Sequence, residues 1–129
     1  MLSIGAVVQN TSGGVQFQNV ETVVFALSPV LIPKDSLQIL LIVSAQVTIG
    51  AGTTSITWRV KRGLTTADTN LCNYVVNPVT PGNVMGLSFM CIDLPISAGA
   101  VAYALTGQGT GSSANTTTTD LVLAAIFLQ

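Results

Sequence analysis

From Leu121 to Leu128 the chain has no polar side. Successive side chains of an extended strand point to opposite faces, and here Leu121, Leu123, Ala125 and Phe127 alternate with Val122, Ala124, Ile126 and Leu128. A strand in a two-layer sandwich has one dry face and one wet face, so the second apolar face of this strand needs cover from outside its own sandwich. Leu37 to Ile49 shows the same feature in part. Leu37, Ile39, Leu41, Val43, Ala45, Val47 and Ile49 form one face, while Leu40 and Ile42 interrupt the polar row of Gln38, Ser44, Gln46 and Thr48. Ser55 to Arg62, by contrast, sets Ile56, Trp58 and Val60 cleanly against Thr57, Arg59 and Lys61 and has one wet face.

The remaining apolar runs are short, β-branched and separated by Gly, Pro, Asn and Ser about every 10 to 15 residues, with no helical period. Strands are expected near Ser3 to Val8, Val20 to Leu27, Leu37 to Ile49, Ser55 to Arg62, Leu71 to Val76, Val84 to Ile92, Val101 to Thr106 and Asp120 to Leu128. Pro29 and Pro33 lack an N–H and restrict Val30 to Ile32 to an edge or a corner, and Pro95 to Gly99 forms another corner. Gly107 to Thr119, rich in Gly, Ser and Thr, reads as a mobile exposed loop. These signals predict an all-β, antiparallel two-sheet jelly-roll sandwich of about eight strands. It forms a single domain over residues 1–129, with residues 1–14 as a possible extended arm.

Charge limits what such a domain can do alone. Only 7% of residues are charged while 49% are apolar, against roughly 25% charged in an ordinary globular chain. Lys34, Arg59, Lys61 and Arg62 are the cations, and Glu21, Asp35, Asp68, Asp93 and Asp120 the anions. Interspersed charge keeps soluble proteins apart, so a chain this neutral fits an oligomer in which subunits cover one another. Membrane insertion is not expected: Leu37 to Ile49 is too short and too polar for a spanning helix, which needs about 20 apolar residues. An outer-membrane barrel would need aromatic girdles and outward apolar alternation on every strand. Met1 to Ile4 carries no basic and apolar leader, so synthesis in a cytoplasm is expected. A net charge of −1 and a pI near 4.8 leave no basic face for phosphates, and nucleic acid is not an expected partner.

Catalytic chemistry finds little footing. The chain has no histidine, which removes the commonest general base and metal ligand, and its five acids form no local constellation. No enzyme activity, cofactor or metal is expected. Gly107 to Gly111 lacks the Lys-Ser/Thr and the helix of a phosphate loop. Asn115-Thr116-Thr117 matches a glycosylation triplet only in form. Cys72 and Cys91 read as two buried thiols in neighbouring strands, with a late disulfide as the alternative. Trp58 with Arg59 and Lys61 could make a ligand platform if the indole were exposed; its alternation with Ile56 and Val60 favours the core instead.

The run Ile56 to Thr66, then Asp93-Leu94-Pro95 and Gly99, then Val101 to Thr106, a Gly/Ser/Thr loop and the closing Leu121 to Leu128 resembles the TNF/C1q-like trimeric jelly rolls, above all those of tailed-phage head-decoration, head-fibre and spike proteins. The resemblance covers about residues 37–129 and lacks an anchoring domain or stalk, which favours a compact decoration protein. It implies a homotrimer on the virion surface, bound to the major capsid protein, with Tyr103 and the last strand toward the three-fold axis. The expected trimer interface is then Leu40, Ile42, Tyr103, Leu105, Val122, Ala124, Ile126 and Leu128. A receptor- or carbohydrate-binding head of a phage fibre or spike is the alternative, and a shell-building jelly roll a third.

Overall fold

The computed structural model describes residues 4–11, 14–32, 38–94, 99–111 and 114–128, giving the backbone alone at 4–11, 28, 29, 32 and 128. Pro33, Leu37 and most of the Pro95 to Gly99 corner, named above, lie outside the described residues, as does the side chain of Leu128. Nine strands are formed: β1 (Ile4–Thr11), β2 (Val15–Phe17), β3 (Thr22–Ile32), β4 (Gln38–Thr48), β5 (Ser55–Arg62), β6 (Thr69–Val76), β7 (Val84–Asp93), β8 (Gly99–Thr110) and β9 (Thr116–Leu128). There is no helix among the described residues.

The strands divide into two sheets whose ladders are all antiparallel. Sheet A runs β1-β9-β4-β7, with β2 also on β9, and sheet B runs β3-β8-β5-β6. Beneath this order lies a simple scheme: β1 pairs with β9, β3 with β8, β4 with β7 and β5 with β6. The chain is in effect one long hairpin with its tip between β5 and β6. The β4–β9 and β5–β8 ladders then stitch that folded hairpin into two layers. This is a jelly-roll-like sandwich, with β1 and β2 lying end to end along one side of β9.

The core fills as the alternation requires. Ile39, Leu41, Val43 and Val47 of β4, Ile56, Trp58 and Val60 of β5, and Leu121, Leu123 and Ala125 of β9 are all fully buried. Phe17, on the short strand β2, meets Trp58 edge to face with ring centroids 5.2 Å apart. Gly107 lies under that ring, where an added Cβ would sit 2.7 Å from Phe17 Cε1. At this point of β8 only glycine fits without displacement.

Two expectations need correction. The expected loop from Gly107 to Thr119 is largely sheet: β8 continues to Thr110 and β9 begins at Thr116, with Thr116 and Thr118 buried. Their hydroxyls are satisfied, which is how Thr enters a core. Thr116 Oγ1 accepts from Gly50 N at 3.0 Å, and Thr118 Oγ1 donates to the Val15 carbonyl at 3.0 Å. Cys72 and Cys91 are not free thiols but form the disulfide of the alternative reading, with Cα atoms 6.2 Å apart. They stand on β6 and β7, the edge strands of different sheets, so the bond closes the open side of the sandwich. Beside it Tyr74 and Phe89 stack at 5.1 Å.

Candidate interaction surface

The outer face of sheet A is a set of cross-strand rows that can be read from the registers. Ile126, Leu40 and Ile92 form one row, Ala124, Ile42 and Met90 the next, and Val122, Ser44 and Ser88 the third. Then the β4–β9 ladder slips between Ser44 and Gln46, and Asp120 takes φ 50° there. Two residues of β9 thereby oppose one of β4, the arrangement of a β-bulge. The break between β1 and β2 falls at the same level, since Thr11 pairs with Leu121 and Val15 with Thr118. Past the bulge the rows become polar: Thr119 with Gln46 and Gly86, then Thr117 with Thr48 and Val84.

One half of this face is therefore apolar and the other carries hydroxyls and amides. The apolar half is solvent-facing in the single chain: Met90 is 67% exposed and Ile92 56%. Leu40, Ile42, Val122 and Ile126 are half-buried by their neighbours, and Ala124 is buried. Five of the expected interface residues thus meet on one surface. Met90 and Ile92 were missed, although their alternation with Leu87, Phe89 and Cys91 along β7 places them on the second face.

Tyr103 and Leu105 do not belong to this surface, and that is a correction. Both are fully buried in their own subunit, because these positions on β8 pair with Arg62 and Val60 of β5 and turn into the core. Tyr103 Oη donates to Asp93 Oδ2 at 2.7 Å. Arg62 completes the cluster, its Nε donating to the same oxygen at 3.0 Å while Nη2 donates to Oδ1. Asp93 is itself buried, so the cluster ties β7 of sheet A to β5 and β8 of sheet B. Burial, and then the hydrogen bond to Asp93, push the Tyr103 hydroxyl well above its ordinary value. The hydrogen bond to Asp93 likewise raises Arg62.

The platform of Trp58, Arg59 and Lys61 is also absent. Trp58 is fully buried and offers no face for stacking, whereas Arg59 and Lys61 lie on the opposite side of β5, where Lys61 is itself buried rather than wet, and meet Glu21 at 3.6 and 3.4 Å. Thr106 donates to Glu21 at 2.7 Å, and Arg59 to Gln108 at 3.0 Å. Burial pushes the Glu21 carboxyl up, but the Thr106 hydrogen bond and the two cations outweigh it and hold it below its ordinary value. What stability this gives is present above the ordinary carboxylate range and lost as pH falls through the lowered value. Asp68 accepts from Thr65 N and Oγ1 in the β5–β6 turn. Among the described residues, Glu21, Arg59, Lys61, Arg62, Asp68 and Asp93 are all engaged within the chain. Among the described residues, little of the charge is therefore left unpaired for an outside partner.

No family model matches the sequence, and no curated protein does. Solved structures match by shape. One, of infectious bursal disease virus Gt strain, superposes with a TM-score of 0.57 at 11% identity, covering 94% of this chain and 33% of that one. A mutant VP2 protein of the same virus, in derived T=1 particles, gives 0.56 at 10% identity over 97% of this chain and 31% of that one. A VP2 subviral particle of the virus gives 0.51 at 11% identity over 98% and 36%. The chain spans about a third of the length of these structures. At such identities the likeness is one of fold: this chain has the jelly-roll-like sandwich found in proteins of virus particles.

Proposed function

We propose that this chain is a structural protein of a virus particle, acting by adhesion rather than catalysis. The observation that carries the reading is the apolar half of sheet A's outer face, left uncovered on a chain whose described charges are almost all engaged internally. In its specific form the protein is a TNF-like homotrimer, closed around its axis by that half-face. It decorates the outside of a phage head by binding the major capsid protein. The sandwich seen in virus-particle proteins supports the structural role. The carbohydrate-binding alternative loses its support with the burial of Trp58.

Introducing charge in the middle of the half-face tests the assembly. Ile42→Glu should abolish the threefold association of 13.3 kDa chains with unchanged β-sheet circular dichroism, because a carboxylate buried in an apolar contact costs several kcal/mol. It should also abolish co-sedimentation with purified phage heads. A wild-type chain that is monomeric at micromolar concentration and ignores the heads would overturn the reading.

A further inference from the structure

Sheet A ends at β7, and no described strand pairs with its outer edge. Exposed edges offer a row of unpaired N–H and C=O groups, and proteins commonly blunt them with charges, prolines or bulges. The edges of sheet B have such devices. The β3–β8 ladder is broken twice and β3 carries Pro29, and the ladder of β6 with β5 is broken beside Val60. β7 has none. Its ladder with β4 runs unbroken from Ile39↔Asp93 to Thr48↔Val84, it lacks proline, and its single charge, Asp93, is turned inward onto Arg62. The Cys72–Cys91 bond and the Tyr74–Phe89 stack brace β7 from its inner side, and among the described residues no strand covers the edge itself.

We infer that the β7 edge pairs with the β7 edge of a second copy of this chain, antiparallel about a two-fold axis at Ser88, joining two copies of sheet A into one continuous sheet. Charge argues for that occupant. A partner strand with ordinary charge content would bring ionised groups against a neutral edge and the uncharged face beside it, whereas the β7 of another copy is equally neutral. Shape agrees in one register. A two-fold perpendicular to the sheet keeps both outer faces on the same side. With Ser88 opposite Ser88, Met90 stands opposite Gly86 and Ile92 opposite Val84. Above Gly86 an added Cβ would meet nothing within 4 Å, which leaves room for the methionine, and Val84 and Ile92, 57% and 56% exposed in the single chain, cover each other. Moving the axis to Phe89 would instead set Ile92 against Gly86 and Met85 against Asp93. The pairing follows the backbone edge and brings only the outermost row of side chains, Val84, Met90 and Ile92, against the second copy; Leu40, Ile42, Val122 and Ile126 stay open on the outer face, so it does not depend on the three-fold contact proposed above.

The test is a charge swap at the axis. Ser88 is exposed, so Ser88→Lys and Ser88→Asp should leave the melting temperature unchanged at concentrations too low for wild type to double. Each would place like charges directly opposite one another, weakening edge pairing by up to about fivefold. Light scattering over a concentration series should show the wild-type mass doubling, each variant failing to double over the same range, and an equimolar mixture of the two doubling again. Doubling is distinct from the threefold mass of the half-face contact, so either can fail alone. A wild-type chain that never doubles, single variants that double like wild type, or a mixture that does not recover would each overturn the inference.

Discussion

Asp93→Ala should lower the stability of the folded chain by about 3 kcal/mol, measured as a shift of the denaturant midpoint at unchanged m-value. The carboxylate is 3% exposed and accepts from Arg62 and Tyr103 at once. Removing it strands a buried hydroxyl and a guanidinium together. Breaking a buried charge pair from one side typically costs about 3–5 kcal/mol. The lower end applies because the Arg62 side chain keeps 24% of its surface in water and can turn toward it. Tyr103→Phe takes away one donor and leaves the ion pair, so its cost should be nearer 1 kcal/mol. Equal effects from the two substitutions would mean that the carboxylate acts through the Tyr103 hydroxyl alone and that the Arg62 ion pair adds nothing.

Trp58→Ala should cost about 3–5 kcal/mol, the range for deleting a large buried aromatic side chain and leaving a cavity. Its neighbours come from several elements: Phe17 on β2 packs against it, Tyr74 of β6 is its register partner on one side and Gly107 of β8 on the other. Collapse into the vacancy would have to move several strands together. Trp58→Phe isolates a second property of the site. The indole Nε1 has no hydrogen-bond partner among the described residues, so removing that donor forfeits no bond and relieves the cost of burying it, which offsets part of the lost contact area. About 1–2 kcal/mol is expected for it, well below the alanine value. Thermal melts of the two variants under identical conditions would separate the contributions, and a phenylalanine variant as unstable as the alanine one would refute the packing account.

Much of the architecture was legible because alternation states directly which side of a strand is dry. Ile56, Trp58 and Val60 are buried where the pattern puts them, and Leu40, Ile42, Val122, Ala124 and Ile126 meet on one outer face because the second apolar set of the last strand could not all be core. What stayed hidden depends on contacts far apart in sequence. β2 is only three residues long, and nothing in Val15-Gln16-Phe17 announces that it will extend a ladder on β9 and supply an aromatic partner for Trp58. Thr116 and Thr118 look like loop residues until Gly50 and Val15 arrive to satisfy their hydroxyls. Tyr103 was drawn outward by a family resemblance, whereas the carboxylate that turns it inward lies ten positions away on a different sheet. The disulfide stood only as the alternative to two free thiols for the same reason: spacing says nothing about which two edge strands close a sandwich.

The nested pairing of the strands also sets a folding order. The tip, β5 with β6, closes a short loop, and β4–β7 and β3–β8 close successively longer ones, whereas β1–β9 must bring together segments separated by nearly the whole chain. Loop-closure entropy rises with that separation, and non-local ladders form slowly. β9 is moreover made after the other eight strands, and it is the strand on which β1, β2 and β4 all pair. Sheet B can therefore complete itself while sheet A is still missing its middle, and β4 waits with one flank bare. Pulse-labelling hydrogen exchange during refolding should find the β5–β6 amides protected before those of β1 and β9; the reverse order would contradict the scheme. In the interval the chain exposes more unpaired edge than it ever does once folded, which makes the time between the two sheets, rather than the finished molecule, the moment at which copies of it are most prone to capture one another.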